Sequence, residues 1–496
     1  MSPVLRVSTG NREADRILEG GFPINSGNVL MGEPGTGKTV FAEQLLFANA
    51  DGDRPCLYLT TISEPLSKVV TYLQEFEFYD ENKMGTAVVY EDVGSLLVEK
   101  GPDALLARVR DAIETIGPKI IVIDSFKAIH DLATSEPMMR RLVSSLAGLL
   151  GAYAATTFLV GEYRAQDVAQ YPEFAVADGI VEFARQKRST TDERFMRVSK
   201  LRGSGYLEGL HGIHISAAGF EIYPRLVSPA VPEGYSTKRE RVTMGEKGLD
   251  GMLHGGVWRG STTLIVGPTG SGKTTLGLQF ALAGARAGEP SLYVNFQENP
   301  TQLGHILQGM APDASTTSKL HLLYVSSVEL QIDRIIVDIF QRIEQHQIKR
   351  IVIDAIGDLA MAAADPQRIH NFLYALVQRF TVLGITALFV WEDVAHGPLE
   401  TPVGPTDFAR LSYMCDNLIL LETGRPGDHG CGDAQDEWPG VGRPAAESTP
   451  KSAGVVHLRL YRRRDGAAGA DRAQQALPQQ AVYARNPCRK SAAAAG

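Results

Sequence analysis

Two glycine-rich loops carry the residues best suited to phosphate chemistry. The first reads Gly32-Glu33-Pro34-Gly35-Thr36-Gly37-Lys38-Thr39, and the second reads Gly267-Pro268-Thr269-Gly270-Ser271-Gly272-Lys273-Thr274. Glycines in such a loop let backbone N–H groups wrap a polyphosphate, and a helix that starts there adds positive potential. The lysine ammonium reaches the outer phosphates, and the threonine hydroxyl supports a Mg²⁺ ion. Candidate binding residues are therefore Gly32, Gly35, Thr36, Gly37, Lys38 and Thr39, repeated as Gly267, Gly270, Ser271, Gly272, Lys273 and Thr274. One such match is weak evidence. Two in the same local context indicate a duplicated nucleotide-binding domain.

The elements that must position these loops repeat as well. Each loop follows an apolar strand-like run (Val29–Met31, Leu264–Val266) and opens a segment with helical apolar spacing. Upstream, Gly20-Gly21-Phe22-Pro23 matches Gly255-Gly256-Val257-Trp258. Downstream, Ile120-Ile121-Val122-Ile123-Asp124 matches Ile351-Val352-Ile353-Asp354. A buried run that ends in aspartate is what a parallel central strand delivers to a nucleotide site, so Asp124 and Asp354 are candidate metal carboxylates. The next run pair ends in Glu162 and Glu392. Strands alternate with helix-length amphipathic segments, which predicts an α/β fold of two tandem P-loop domains, each a mostly parallel sheet flanked by helices.

Composition is that of a soluble globular protein: 496 residues, 44% hydrophobic and 21% charged. The four cysteines form no metal or disulfide pattern, which predicts a reducing, cytoplasmic setting. Leu142–Gly161 carries no charge, yet reads as a helix followed by a buried strand rather than a membrane span. Residues 1–225 form the expected first domain, 226–240 a Pro- and Gly-containing linker, and 241–424 the second domain. The composition of 425–496 predicts a low-complexity tail, disordered or incomplete, with only Val455–Tyr461 strand-like.

These repeats, closed in the first half by Lys200-Leu201-Arg202-Gly203-Ser204 and Gly219-Phe220-Glu221-Ile222, resemble the KaiC family of RecA-like ATPases over Val4 to Leu421. The resemblance implies a homohexameric double ring with ATP bound between neighbouring subunits, ATP hydrolysis, and regulatory partner proteins. In clock members it also implies serine/threonine autophosphorylation in the second ring. Lys38, Thr39 and Asp124, and Lys273, Thr274 and Asp354, would then bind ATP and Mg²⁺. Lys200 and Arg202 would reach the γ-phosphate of the adjacent subunit's ATP, as an arginine finger supplied in trans does.

The chain departs from the family pattern at the hydrolytic base, which comes from two consecutive glutamates after the second strand. The first copy holds Ile62-Ser63 there with Glu64 next, and the second holds Gln297-Glu298. Glutamine orients a water but takes no proton at neutral pH. Slow hydrolysis is expected, carried mainly by the first domain, with Glu64 or Glu298 as substitute base. Ser63-Glu64-Pro65 is equally a good helix start. Ser412 matches the acceptor serine of clock members, and Tyr413 replaces the adjacent threonine. Two other functions compete: a RecA-like DNA-binding accessory ATPase and a non-hydrolysing nucleotide sensor. Net charge of −8 and short, scattered basic clusters count against a nucleic-acid groove.

Overall fold

The computed structural model describes residues 5–61, 66–187, 192–229, 240–311, 317–326, 331–362, 366–392, 413–424 and 455–462. The chain divides into two compact units, Met1–Arg225 and Leu226–Gly496.

The first unit begins with the short pair β1 (Arg6–Val7) and β2 (Phe22–Pro23). Its main sheet contains β3 (Gly27–Gly32), β4 (Cys56–Thr60), β5 (Val88–Asp92), β6 (Ile120–Asp124), β7 (Thr156–Gly161), β8 (Gly179–Lys187), β9 (Asp192–Leu201), β10 (His211–Ser216) and β11 (Gly219–Tyr223). The spatial order is β11-β10-β9-β8-β3-β7-β6-β4-β5. Strands β8, β3, β7, β6, β4 and β5 run parallel, and β9 to β11 add an antiparallel meander. The parallel strands read as near-continuous apolar runs because both sheet faces are covered. Leu30, Ile120 and Val122 pack on one face, while Val29, Met31, Ile121 and Ile123 pack on the other. Full burial of each such side chain contributes about 1.5–3 kcal/mol.

The second unit repeats the plan. After β12 (Arg241–Val242) and β13 (Val257–Trp258) come β14 (Thr262–Gly267), β15 (Ser291–Asn295), β16 (Leu320–Tyr324), β17 (Arg350–Asp354), β18 (Thr386–Glu392), β19 (Asn417–Gly424) and β20 (Val455–Arg462). The order β16-β15-β17-β18-β14-β19-β20 matches that of the first sheet strand for strand, from β5 through to β9. Strand β20 pairs antiparallel with the whole of β19, Asn417 opposite Arg462 and Gly424 opposite Val455. The segment expected as tail thus supplies the outer strand of the second sheet, in the place that β9 has in the first. Its alternating run was legible, but the Gly- and Pro-rich stretch before it obscured the pairing.

Two further expectations meet the structure. The uncharged stretch divides into the helix Glu136–Ala152 and β7, and no described helix is long and apolar enough to cross a membrane. At the start of the expected linker, Leu226 packs against the second core and the Val227 carbonyl accepts from Arg379 Nε at 3.0 Å.

Candidate functional site

Both P-loops lie between the C-terminal end of a central parallel strand and the N-terminus of a long helix, where an open α/β sheet binds ligands. In the first unit β3 ends at Gly32 and the helix Lys38–Asn49 begins after Gly37. Gly37 caps that helix in the left-handed region (φ 99°) with no side-chain cap, so the first-turn N–H groups stay open. Gly32 is constrained from the other side: a Cβ there would lie 2.1 Å from the Phe183 carbonyl oxygen on β8. In the second unit Gly272 (φ 90°) plays the same part before the helix Lys273–Arg286, again without a side-chain cap.

The charged groups converge identically in the two copies. Lys38 Nζ donates across its loop to the Glu33 carbonyl at 2.9 Å, and Lys273 Nζ donates to the Pro268 carbonyl at 2.8 Å. Thr39 Oγ1 donates to Asp124 Oδ2 at 2.8 Å, and Thr274 Oγ1 to Asp354 Oδ2 at 2.8 Å. Burial pulls the Lys38 ammonium below its ordinary pKa, with the Glu162 and Asp124 carboxylates pulling the other way. Burial pushes Asp354 up against the donors Tyr293 and Thr274 and the nearby Lys273.

Sequence reasoning missed a second donor at each aspartate. Tyr58 OH reaches Asp124 Oδ2 at 2.8 Å, and Tyr293 OH reaches Asp354 Oδ2 at 2.6 Å. Burial first, then the adjacent aspartate, raises both phenols well above their ordinary pKa, so each remains a donor at neutral pH. Tyr58 stacks on Tyr90 with centroids 4.6 Å apart. Arg194 on β9 was also missed; its Nε donates to the Gly35 carbonyl at 3.0 Å. In the second copy Thr269 Oγ1 donates to Glu392.

The candidate trans residues lie elsewhere. Leu201 pairs with Gly179, and Asp178 anchors the start of β3 through its Oδ2 to the Gly27 N–H at 3.0 Å. Arg202 Nη1 lies 3.4 Å from Asp178 Oδ1. Burial and the neighbouring Arg202 lower the Lys200 pKa. Strand β3 separates this end from its own P-loop by roughly 17 Å at about 3.3 Å per residue. Lys200 and Arg202 therefore do not join the phosphate loop of their own unit.

At the expected bases the two copies differ. Glu64, with Ile62 and Ser63, lies outside the described residues. Gln297 and Glu298 follow β15, where the Asn295 side-chain oxygen accepts from both backbone N–H groups at 3.1 Å. The Glu298 carboxylate is close enough to help raise the Tyr293 phenol. Gln297 Nε2 donates to Asp358 Oδ2 at 3.1 Å. Burial pushes the Asp358 carboxyl up, opposed by that bond. Ser412 is also outside the described residues. Nearby, Tyr413 is exposed and Asp416 Oδ2 accepts from the Thr262 N–H at 2.8 Å.

The residues present fit a nucleoside triphosphate and a divalent ion. Each site offers an uncapped helix N-terminus, a lysine and left-handed glycines to a polyphosphate. It offers one carboxylate and one hydroxyl to a cation, which suits Mg²⁺ completed by water and phosphate oxygens. Among the described residues no group of three or more His, Cys, Asp or Glu forms an all-protein cage.

The fold and its two P-loops together define a tandem P-loop ATPase. A family model described as "ATPase: KaiC" matches residues 7–227 and again 242–428, and the chain belongs to the KaiC family. It is 28% identical over 441 residues to the circadian clock oscillator protein KaiC of Rippkaea orientalis, covering 84% of this chain and 81% of the relative. The protein of the same name from Synechococcus elongatus is 27% identical over 426 residues, 82% of this chain and 80% of the relative. That from Acaryochloris marina is 26% identical over 448 residues, at 84% and 81%.

Proposed function

We propose that this chain is a slow, Mg²⁺-dependent ATPase of the signalling or clock type. It binds one ATP in each unit, assembles in the cytoplasm as a homohexamer with ATP at subunit boundaries, and is read by partner proteins. The observation that carries this is the twofold recurrence of one constellation: Lys38, Thr39 and Asp124 against Lys273, Thr274 and Asp354, with matching distances.

The chemistry assigned to each group follows from its place. The P-loop amides and lysine hold the β- and γ-phosphates, where charge spreads during phosphoryl transfer. Bound Mg²⁺ would supply further positive charge there, held through Thr39 and Asp124 or Thr274 and Asp354. Tyr58 and Tyr293 keep the aspartates oriented by donating to them. Lys200 and Arg202, remote from their own loop, supply charge to a neighbouring subunit's γ-phosphate; their distance from the cis site supports that role. Turnover is slow because neither copy has a glutamate at the Ile62 or Gln297 position.

The same absence favours a second reading, a nucleotide sensor that binds ATP without releasing phosphate. Phosphate release from wild type, Lys38→Ala, Lys273→Ala and the double variant, measured beside nucleotide binding, separates the two. Release that is slow but lost in the double variant supports the ATPase; binding with no release supports the sensor. DNA binding is the weaker alternative, given the net charge of −8. Autophosphorylation is tested at Ser412: transfer of radiolabel from ATP to the chain, abolished by Ser412→Ala, supports it, and labelling that persists in that variant rules out this acceptor.

A further inference from the structure

The missing glutamate of the second unit has a neighbour that can replace it. Phe296 N–H donates to the Asp354 carbonyl at 3.1 Å, just as Thr61 N–H donates to the Asp124 carbonyl at 2.8 Å. This register makes Gln297 the counterpart of Ile62, and Asp358, four residues past Asp354, the counterpart of Ala128, four past Asp124. Where the sequence of the first unit has two apolar residues at these positions, the second has an amide and a carboxylate. Gln297 Nε2 and Asp358 Oδ2 are joined at 3.1 Å.

Asp358 sits in the first turn of the helix Ile356–Ala362, which starts directly after β17 delivers Asp354. It is half-buried at the strand end that carries Asp354, which Thr274 ties to the second P-loop. Gln297 is exposed at the end of β15 and reaches back to it. The bond uses one donor of the amide and one oxygen of the carboxylate. The carboxylate also accepts from the Ala355 N–H, and because each of its oxygens carries two lone pairs, Asp358 Oδ1 and Gln297 Oε1 still have lone pairs to offer the two hydrogens of a water molecule.

We infer that Gln297 and Asp358 together replace the lost glutamate, Gln297 orienting the attacking water and Asp358 acting as its general base in the second unit. This rests on ATP being bound at the second P-loop, as proposed above. In the step, the water oxygen forms a bond to the γ-phosphorus and its proton passes to Asp358 Oδ1. The bond between the γ-phosphorus and the β–γ bridging oxygen breaks, and its electron pair leaves on ADP. Asp358 then returns the proton to solvent or to the released phosphate. Glu298, clamped through its backbone to Asn295, is then not required as the base.

The test uses the full chain in a Lys38→Ala background, so that only the second site turns over. Binding of a fluorescent ATP analogue and single-turnover phosphate release are measured for the parent, Asp358→Asn, and Asp358→Asn combined with Gln297→Glu. Asparagine keeps the size and still accepts from Gln297, so folding is preserved. The expected result is unchanged binding in Asp358→Asn with release slowed about 10²–10⁴-fold, and recovery of at least about tenfold when Gln297→Glu restores a carboxylate. Unchanged release in Asp358→Asn overturns the assignment, as does parallel loss of binding and release. Absence of binding in the parent would instead defeat the two-site proposal itself.

Discussion

The Thr39 hydroxyl donates to Asp124 Oδ2 at 2.8 Å, across the sheet from helix to strand end. Thr274 and Asp354 reproduce the contact at the same distance in the second unit. The link matters because the two residues come from opposite sides of the strand that separates β3 from β6. Only the crossover order of the sheet brings hydroxyl and carboxylate to one point, and that point lies beside the phosphate loop.

The phenols at Tyr58 and Tyr293 hold that carboxylate from within a buried strand. Tyr293→Phe removes a charge-assisted donor worth about 1.5–3 kcal/mol and leaves burial to raise Asp354 further. Nucleotide binding to the second site, titrated with Mg²⁺, is expected to need several-fold more Mg²⁺ in this variant. An unmoved Mg²⁺ midpoint would reduce Tyr293 to a packing residue.

Lys200 and Arg202 are predicted to act only between subunits. In a Lys273→Ala background, Lys200→Ala with Arg202→Ala leaves ATP uptake by the first site intact but slows its phosphate release by about 10³-fold or more. Mixing these chains with Lys38→Ala, Lys273→Ala double-variant subunits, which lack both P-loop lysines yet retain both basic residues, restores release. Failure of mixed assemblies to recover activity would mean that the pair serves its own subunit or none.

His211 provides a pH prediction away from the phosphate loops. Its ring is buried, with Nε2 bonded to the Leu207 carbonyl at 2.9 Å and Nδ1 accepting from the Arg225 N–H at 3.1 Å. Burial, with a smaller push from Arg225, lowers its pKa from 6.5 to about 4. Above pH 6.5 folded and unfolded chains are both neutral there. As pH falls from 6.5 to about 4 the unfolded chain gains a proton that the fold refuses, which costs up to about 3 kcal/mol. Thermal melts of the first unit should therefore fall less steeply across that window in His211→Gln than in wild type. Parallel curves would remove His211 from the acid sensitivity.

Local signals made the duplication legible. Glycine, lysine and threonine at P-loop spacing need no long-range contact to be recognised, and a buried run ending in Asp124 or Asp354 announces a central parallel strand. The tyrosines were hidden because a phenol inside an apolar strand reads as core until its partner arrives from a distant strand. Asp358 was hidden for a similar reason: an acidic residue in a helix's first turn has an ordinary explanation until Gln297 is placed beside it. Strand β20 was masked by the composition of the chain around it. Lys200 and Arg202 could be named from family resemblance, but their separation from the cis loop required the register of β8 and β9.

Isothermal titration calorimetry with Mg-ATP tests the two-site architecture most directly. Wild type should take up two adenine nucleotides per chain, and Lys38→Ala and Lys273→Ala should each take up one. No uptake by folded wild-type protein, or a stoichiometry of two in either lysine variant, would contradict it.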